Sequence, residues 1–322
     1  VTVIRDGFEY SLHFEKGENK TGTKEGFVKK PTNAKKTGTT IHWKPDLEVF
    51  TDINIPVDYY LDTLKRQAVV NSHIKFVLKN QVGGKYETTE FLYQNGIVDY
   101  VTELAGENPL TSVQFFETER QGRDREDKNA YKAKLSCAFC FSSTVSRIEY
   151  YHNSSWLEHG GSPDKAARSA FVSAIDAYLK QNNKYNKNEN KVTYQDIFDS
   201  LVLVTNCFST ETSYENQTKK AITNKGIQEA MVEMLRHNLE IYFLENPIEA
   251  EKIANQVLIN KRSREDAEKT RLNLKKKLTG TMSITDRVAK FVDCRSRDVS
   301  KREIYIVEGD SALGACKQAR DP

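Results

Sequence analysis

The spacing of apolar residues switches repeatedly between a period of two and a period of three to four, so the chain predicts strands interleaved with helices. Residues 1–10 and 10–14 are strand-like around an Asp6-Gly7 turn pair, and residues 39–44 form a further strand stopped by Pro45. Between them, residues 16–37 are rich in Lys, Gly, Asn and Thr and predict a mobile loop. Val57, Tyr60, Leu61, Leu64, Ala68 and Val69 fall on one stripe of a helix over 57–71. Ile74, Phe76 and Leu78 alternate with polar neighbours, and Gly83-Gly84 turns that strand into another over 86–93, a hairpin. A short helix follows at 97–104, then strands over 113–117, 131–141 and 145–151.

In the second half, Ser162-Pro163-Asp164 reads as a helix start, because serine accepts from the free N–H groups of a first turn and proline suits the first helical position. That helix runs to about Leu179, and an Asn/Lys-rich loop over 181–191 follows. Residues 197–204 include a buried strand, and 209–223 form a long polar loop. Two long helices, 224–245 and 248–278, are separated at Asn246-Pro247. The second ends in Lys275-Lys276-Lys277, favourable against the negative end of the helix dipole. After a linker around Gly280, Ile304-Tyr305-Ile306-Val307 is an all-apolar strand, and Glu308-Gly309-Asp310-Ser311 turns into a small-residue helix near Ala312. There is no internal repeat, and the pattern as a whole is that of an α/β (α+β) fold.

Composition narrows the class. The 322 residues correspond to roughly two domains of ~150 residues. At 38% hydrophobic and 29% charged the chain is polar, yet its patterned apolar runs argue against disorder. No stretch approaches the ~18 apolar residues of a membrane span, and the start lacks the apolar core of a secretory signal. Forty-eight basic residues against 45 acidic give a net charge of +3, so only local clusters bear on nucleic acid. Five cysteines, an odd count, read as reduced thiols of a cytoplasmic protein. The chain opens on Val1 with a strand and ends at Pro322 just after a helix, and so reads as part of something longer.

Two motifs carry candidate chemistry. A strand apolar on both faces suits a covered parallel sheet, and the carboxyl end of such a strand is where α/β folds place their sites. Glu308 would project there, able to ligate Mg²⁺ or move a proton; alternatively, Asp310 caps the helix and Glu308 only favours its positive end. The second motif is Gln217-Thr218-Lys219, in a polar loop ahead of a helix. A lysine there can reach a phosphate in a neighbouring domain, or simply be solvated.

Lesser candidates have plainer readings. Cys137 and Cys140, three apart on a strand, point to opposite faces, which disfavours a shared metal, and with no second pair they read as buried strand cysteines. His159-Gly160-Gly161 before the Ser162 helix reads as a turn, with a ligand role as the less favoured alternative. Residues 261–277 hold eight basic and three acidic residues, either a phosphate-tracking stripe or a solvated face laced with i,i+4 pairs.

The ordered set of Lys36-Thr37-Gly38-Thr39-Thr40-Ile41, Trp43-Lys44-Pro45-Asp46, Gln217-Thr218-Lys219 and Glu308-Gly309-Asp310-Ser311-Ala312 resembles the ATPase subunits of type IIA topoisomerases. These are the B subunit of bacterial DNA gyrase and its relative, the ParE subunit of topoisomerase IV. The similarity runs the length of the chain. It implies that residues 1–54 are the last strands of a GHKL-type ATPase domain and 55–225 a ribosomal-S5-like transducer. It further implies that 226–300 are connecting helices and linker, and 301–322 the start of a Toprim domain. By the same resemblance Lys219 contacts the ATP γ-phosphate with Gln217 as its companion, and Thr39 lines the adenine pocket. The resemblance likewise implies that Glu308 is the Toprim glutamate of the Mg²⁺-dependent cleavage and religation centre.

The implied cofactors are ATP and Mg²⁺. The implied partners are double-stranded DNA, the gyrase A subunit in an A2B2 heterotetramer, and a second copy of the ATPase subunit on ATP binding, with no membrane. Leu313-Gly314 stands where the family has Gly-Gly, a change that bears on helix packing and not on the carboxylate. The Asp-x-Asp ligands of Toprim would lie beyond Pro322, the ATP-Mg²⁺ motifs before Val1, and the DNA-attacking tyrosine on the A subunit. This chain alone is therefore expected neither to hydrolyse ATP nor to cut DNA. The alternatives are the topoisomerase IV subunit, acting in decatenation, and a non-catalytic nucleic-acid-binding module. A mismatch-repair relative would not continue into Glu-Gly-Asp-Ser-Ala.

Overall fold

The computed structural model describes residues 1–280, 290–292, 296 and 298–319. They form two compact units, Val1–Asp62 and Thr63–Pro322. In the first, β1 (Thr2–Arg5) and β2 (Phe8–Ser11) form a hairpin whose two turn residues, Asp6 and Gly7, both have positive φ (53° and 77°). That is the geometry a right-twisted two-residue hairpin demands and the reason Asp-Gly serves there. A tiny hairpin of β3 (Phe14–Glu15) and β4 (Glu18–Asn19) follows. β5 (Val28–Pro31) and β6 (Gly38–Thr40) then complete an antiparallel sheet in the order β5-β2-β1-β6. The expected loop over 16–37 thus contains short strands. The strand expected over 39–44 stops at Thr40, the last residue paired to β1, and Ile41 and Trp43 are exposed. No described residue of this unit is fully buried.

Helix α1 (Val57–Val70) buries Ala68, Val69 and Val70. β7 (Phe76–Val82) and β8 (Lys85–Phe91) pair through Gly83-Gly84, and α2 (Ile97–Ala105) buries Ile97, Tyr100, Val101 and Ala105. The central sheet follows: β9 (Gln114–Gly122), β10 (Tyr131–Phe141), β11 (Arg147–His152), β12 (Ser155–Trp156) and β14 (Leu201–Ser209). They lie in the order β12-β11-β14-β10-β9, antiparallel except for β11 beside β14.

Between β12 and β14 come β13 (Gly160–Gly161), α3 (Ser162–Gln181) and α4 (Tyr194–Phe198). After β14 come β15 (Ala221–Ile222), α5 (Lys225–Glu245) and α6 (Pro247–Gly280). Proline at the first position of α6 lacks the N–H that would continue α5, which breaks the helix where the sequence predicts.

Both faces of the sheet are covered. Leu135, Cys137, Phe139 and Phe141 of β10 join α3, α5 and the start of α6 in the larger core, whereas Ala138 and Cys140 face α1 and α2 in the smaller one. The period of two fixes this division. It also puts Cys137 and Cys140 on opposite faces, and burial pushes the Cys140 thiol up to about 11. Phe139 centres the larger core, with ring centroids 5.4 Å from Phe116, 5.2 Å from Phe171 and 6.0 Å from Tyr242. Truncating such a ring costs about 3–5 kcal/mol.

Two expectations are corrected. Gly161, not Ser162, is the N-cap residue of α3; Ser162 is buried inside the helix and its hydroxyl donates to the Ile222 carbonyl at 3.3 Å. Ile304–Val307 is not a strand: Ile304, Tyr305 and Ile306 are 80%, 71% and 90% exposed. An all-apolar strand needs neighbours on both edges and cover on both faces, and no described strand pairs with this segment. A 3₁₀ turn (Val299–Lys301) precedes it and α7 (Asp310–Ala319) follows. Most of the linker expected after α6, and Arg320–Pro322 at the end of the segment from 301, lie outside the described residues.

Candidate functional site

The polar loop after β14 folds back on itself as a tethered finger. Its legs are joined by the Glu215 N–H donating to the Ala221 carbonyl at 3.0 Å and the Thr223 N–H donating to the Ser213 carbonyl at 2.8 Å. An antiparallel bridge pairs Tyr214 with Ile222. At the tip the Asn216 carboxamide accepts from the Thr218 N–H at 3.1 Å, a local side-chain turn that asparagine favours. The Lys219 N–H closes onto the Asn216 carbonyl at 3.2 Å, and Lys219 adopts a φ of 58°, uncommon for a non-glycine residue.

Gln217 and Lys219 both lie at this tip and are both exposed. The Lys219 ammonium lies 5.7 Å from the Tyr214 ring centroid. No carboxylate among the described residues pairs with it, whereas the neighbouring Lys220 is ion-paired to Glu158.

The root of the finger is fixed from three sides. β15 runs parallel to β13, and the His159 N–H donates to the Lys220 carbonyl at 2.9 Å. So the expected turn is found at His159, while Gly160-Gly161 pair as the short strand β13 that holds the loop. The His152 ring, fully buried on β11, shares a hydrogen bond of 2.8 Å between Nε2 and the Thr212 hydroxyl; burial lowers its pKa to about 4.

Asn224, at the N-cap of α5 and fully buried, does not cap the helix with its side chain. Its Oδ1 accepts from the Ser213 N–H at 2.8 Å, and its Nδ2 donates to Asp124 Oδ2 at 2.9 Å. Asp124 Oδ1 also accepts from the Tyr131 hydroxyl at 2.6 Å and the Gly226 N–H at 3.1 Å. Burial, reinforced by Asp124, raises the Tyr131 pKa well above the phenolic range, so Tyr131 stays a donor. Sequence reasoning missed this hub. Asparagine before a helix was a visible signal for Asn224; nothing marked Asp124 within its charged stretch.

The other expected site residues lie on other elements. Thr39 lies on β6, opposite Val3, and is exposed in the first unit. Glu308 is exposed in the irregular stretch before α7, off any strand, while Asp310 in the first turn of α7 pairs with Lys290. Among the described residues no three His, Cys, Asp or Glu side chains converge to hold a metal. Glu308 alone therefore does not make an Mg²⁺ site.

The basic stretch 261–277 is in part a structural clamp. Lys261 is fully buried, pairing with Glu189 at 3.0 Å and Glu265 at 3.1 Å; Arg262 also holds Glu189 at 3.1 Å. Arg264 holds the buried Asp196 at 2.7 Å, and Lys269 and Arg271 pair with Asp266 and Glu268. The Arg262 guanidinium, against the opposing effect of burial, holds the Glu189 carboxyl at about 2. Burial disfavours an ionised Asp196, yet Arg264 and Thr193 together bring its pKa below the usual range.

These features define a two-faced α/β domain that presents an exposed cation on a tethered loop, with no carboxylate against it among the described residues. A family model described as DNA gyrase B matches residues 96–273, more than half of the chain. The DNA gyrase B protein of Campylobacter jejuni is 32% identical over 321 residues, covering 99% of this chain and 39% of that protein. That of Archaeoglobus fulgidus is 31% identical over 289 residues, covering 89% and 43%. The crystal structure of the 43K ATPase domain of Thermus thermophilus gyrase B in complex with an aminocoumarin shares the fold, with a TM-score of 0.61 and 22% identity over 84% of this chain and 70% of that one. The chain belongs to the DNA gyrase B family. It spans about two fifths of the length of the Campylobacter and Archaeoglobus proteins. No helix among the described residues is long and apolar enough to cross a membrane.

Proposed function

We propose that this chain is the ATP-coupling portion of the ATPase subunit of a type IIA DNA topoisomerase, a DNA gyrase, acting in the cytoplasm with double-stranded DNA and a gyrase A subunit. One observation carries the proposal: Lys219 sits at the tip of a root-anchored loop without an anionic partner among the described residues, beside a lysine that has one. An exposed cation on a positioned loop suits the terminal phosphate of a nucleotide held by another domain. ATP, when bound, supplies the free energy of its phosphoanhydride bond. With ATP bound, Lys219 would offset charge on the γ-phosphoryl oxygens, with Gln217 as its companion in the same loop; Thr39 would line the adenine pocket.

Residues 1–54 would be the last strands of the GHKL ATPase domain, 55–225 the S5-like transducer, 226–300 the connection and 301–322 the start of Toprim. Contact of Lys219 with the nucleotide would tie its state to a rigid-body rotation, passed on through α5 and α6. Two ATPase subunits would close on ATP within an A2B2 assembly. Glu308 is proposed as one Mg²⁺ ligand at the DNA cleavage centre; no step is derived through the metal. The gyrase names of the relatives favour gyrase over topoisomerase IV.

The test is nucleotide discrimination in the complete subunit. A non-hydrolysable ATP analogue should drive dimer closure and ADP should not, and Lys219→Ala should abolish that difference. Unchanged discrimination in the variant would remove Lys219 from the role.

A further inference from the structure

We propose that Asn224 and Asp124 are positioning residues for Lys219: a hydrogen-bonded hub, buried at Asn224 and half-buried at Asp124, that ties both legs of the finger to the sheet and to α5. The proposal rests on the reading of Lys219 given above and adds what holds that lysine in place.

Asn224 stands where the returning leg ends, five positions after Lys219, and its Oδ1 accepts from Ser213 on the outgoing leg at 2.8 Å. One carboxamide therefore fixes the separation of the two legs. Its Nδ2 reaches Asp124 Oδ2 at 2.9 Å, in the connection between β9 and β10. Asp124 is in turn held by the Tyr131 hydroxyl at 2.6 Å and by the Gly226 N–H at 3.1 Å, at the start of α5.

Space is closed as well as polarity. A Cβ on Gly226 would come 2.7 Å from the Arg123 backbone nitrogen and 2.8 Å from the Tyr131 hydroxyl, so α5 and the β9–β10 connection can meet only at a glycine. A full set of partners around the buried Asn224 carboxamide makes one arrangement far better than its neighbours. Asparagine normally spends its side chain on the first turn of a helix. Here it leaves that turn and holds the loop instead.

For a cation that must meet a phosphate, the placement of the loop root decides the outcome. A displacement of about 1 Å at a reacting group can cost on the order of 100-fold in rate. The hub holds the finger at Ser213 and Asn224, so the tip cannot swing as a free loop of the same length would.

The experiment is a double-mutant cycle on ATP turnover by the complete subunit, using Asn224→Ala, Lys219→Ala and the pair. Asp124→Asn is a second entry to the hub that keeps its shape and removes its charge. Thermal melting of each variant shows that it is folded. The expected result is a loss of about tenfold or more in turnover for Asn224→Ala and Asp124→Asn, and no further loss when either is added to Lys219→Ala. Amide hydrogen exchange at residues 213–223 should speed up in both hub variants.

If Lys219→Ala lowers turnover but the hub variants do not, or lower it by the same factor with and without Lys219, the hub is not positioning that lysine. If Lys219→Ala itself turns over normally, the phosphate reading of Lys219 fails first and the hub loses its role with it.

Discussion

A methyl group placed on Gly161 would sit 2.1 Å from the carbonyl oxygen of Ile222 and 2.8 Å from its nitrogen. Gly161 also has a φ of 83°, where a side chain is strained in any case. These two residues face each other across the parallel pairing of β13 and β15, so the start of α3 and the root of the Lys219 finger touch backbone to backbone. Gly161→Ala should therefore cost about 3 kcal/mol or more in chemical denaturation. It should also raise hydrogen exchange at residues 219–223 before it affects the opposite edge of the sheet. A variant as stable as the parent would mean that this contact is not close-packed in solution.

The clamp at Lys261 should be equally costly to open. Lys261→Ala leaves Glu189 and Glu265 without their shared ammonium in a buried setting and should destabilise the protein by about 3 kcal/mol in urea titration. The pH dependence has a definite sign. Arg262 holds the folded Glu189 carboxyl at about 2 against an ordinary 4.5, so its stabilisation is complete above pH 4.5 and is lost as pH falls through 2. Glu189→Gln should flatten the stability profile in that window.

His152 gives a second window at higher pH. Burial depresses its folded pKa from 6.5 to about 4, so the unfolded chain binds the proton first. Its contribution is complete above pH 6.5 and disappears as pH falls toward 4, worth up to about 3 kcal/mol by linkage. Melting temperatures from pH 7 to pH 4 should fall for the parent and fall less steeply for His152→Gln.

Most of the architecture was readable from periodicity because it follows local rules. Gly83-Gly84, the apolar stripe of α1 and Asn246-Pro247 each act through backbone geometry or spacing within a few residues. The alternation in β10 was enough to separate Cys137 from Cys140. What could not be read depends on partners far along the chain. Ile304-Tyr305-Ile306-Val307 has the composition of a buried strand, but a strand exists only where others pair with it, and none of the described strands does. The eight cations of 261–277 looked alike in sequence; contacts with the low-exposure carboxylates Glu189 and Asp196, far along the chain, distinguish Lys261, Arg262 and Arg264 from Lys269 and Arg271, which pair within the helix. The Gln217-Thr218-Lys219 motif was visible, but its anchors Asp124 and Asn224 are a hundred residues apart and meet only in the fold.

Glu308 is exposed and makes no hydrogen bond or ion pair among the described residues, so Glu308→Ala should leave the melting temperature of the chain within about 1 °C. If Glu308 serves the cleavage centre proposed above, the same substitution in the complete subunit reconstituted with a gyrase A subunit should abolish Mg²⁺-dependent DNA cleavage. Undiminished cleavage would assign the carboxylate to the helix end alone.

The most direct measurement of the central claim is steady-state ATP hydrolysis by the complete subunit carrying Lys219→Ala, with circular dichroism and melting recorded alongside. Loss of a single charge-stabilising donor at a reacting phosphoryl group typically lowers turnover by about 100-fold or more. Since Lys219 is exposed and has no ion-pair partner among the described residues, the fold should be untouched. A folded variant with turnover down by that order is the expected result; a folded variant that hydrolyses ATP at nearly the parent rate contradicts it.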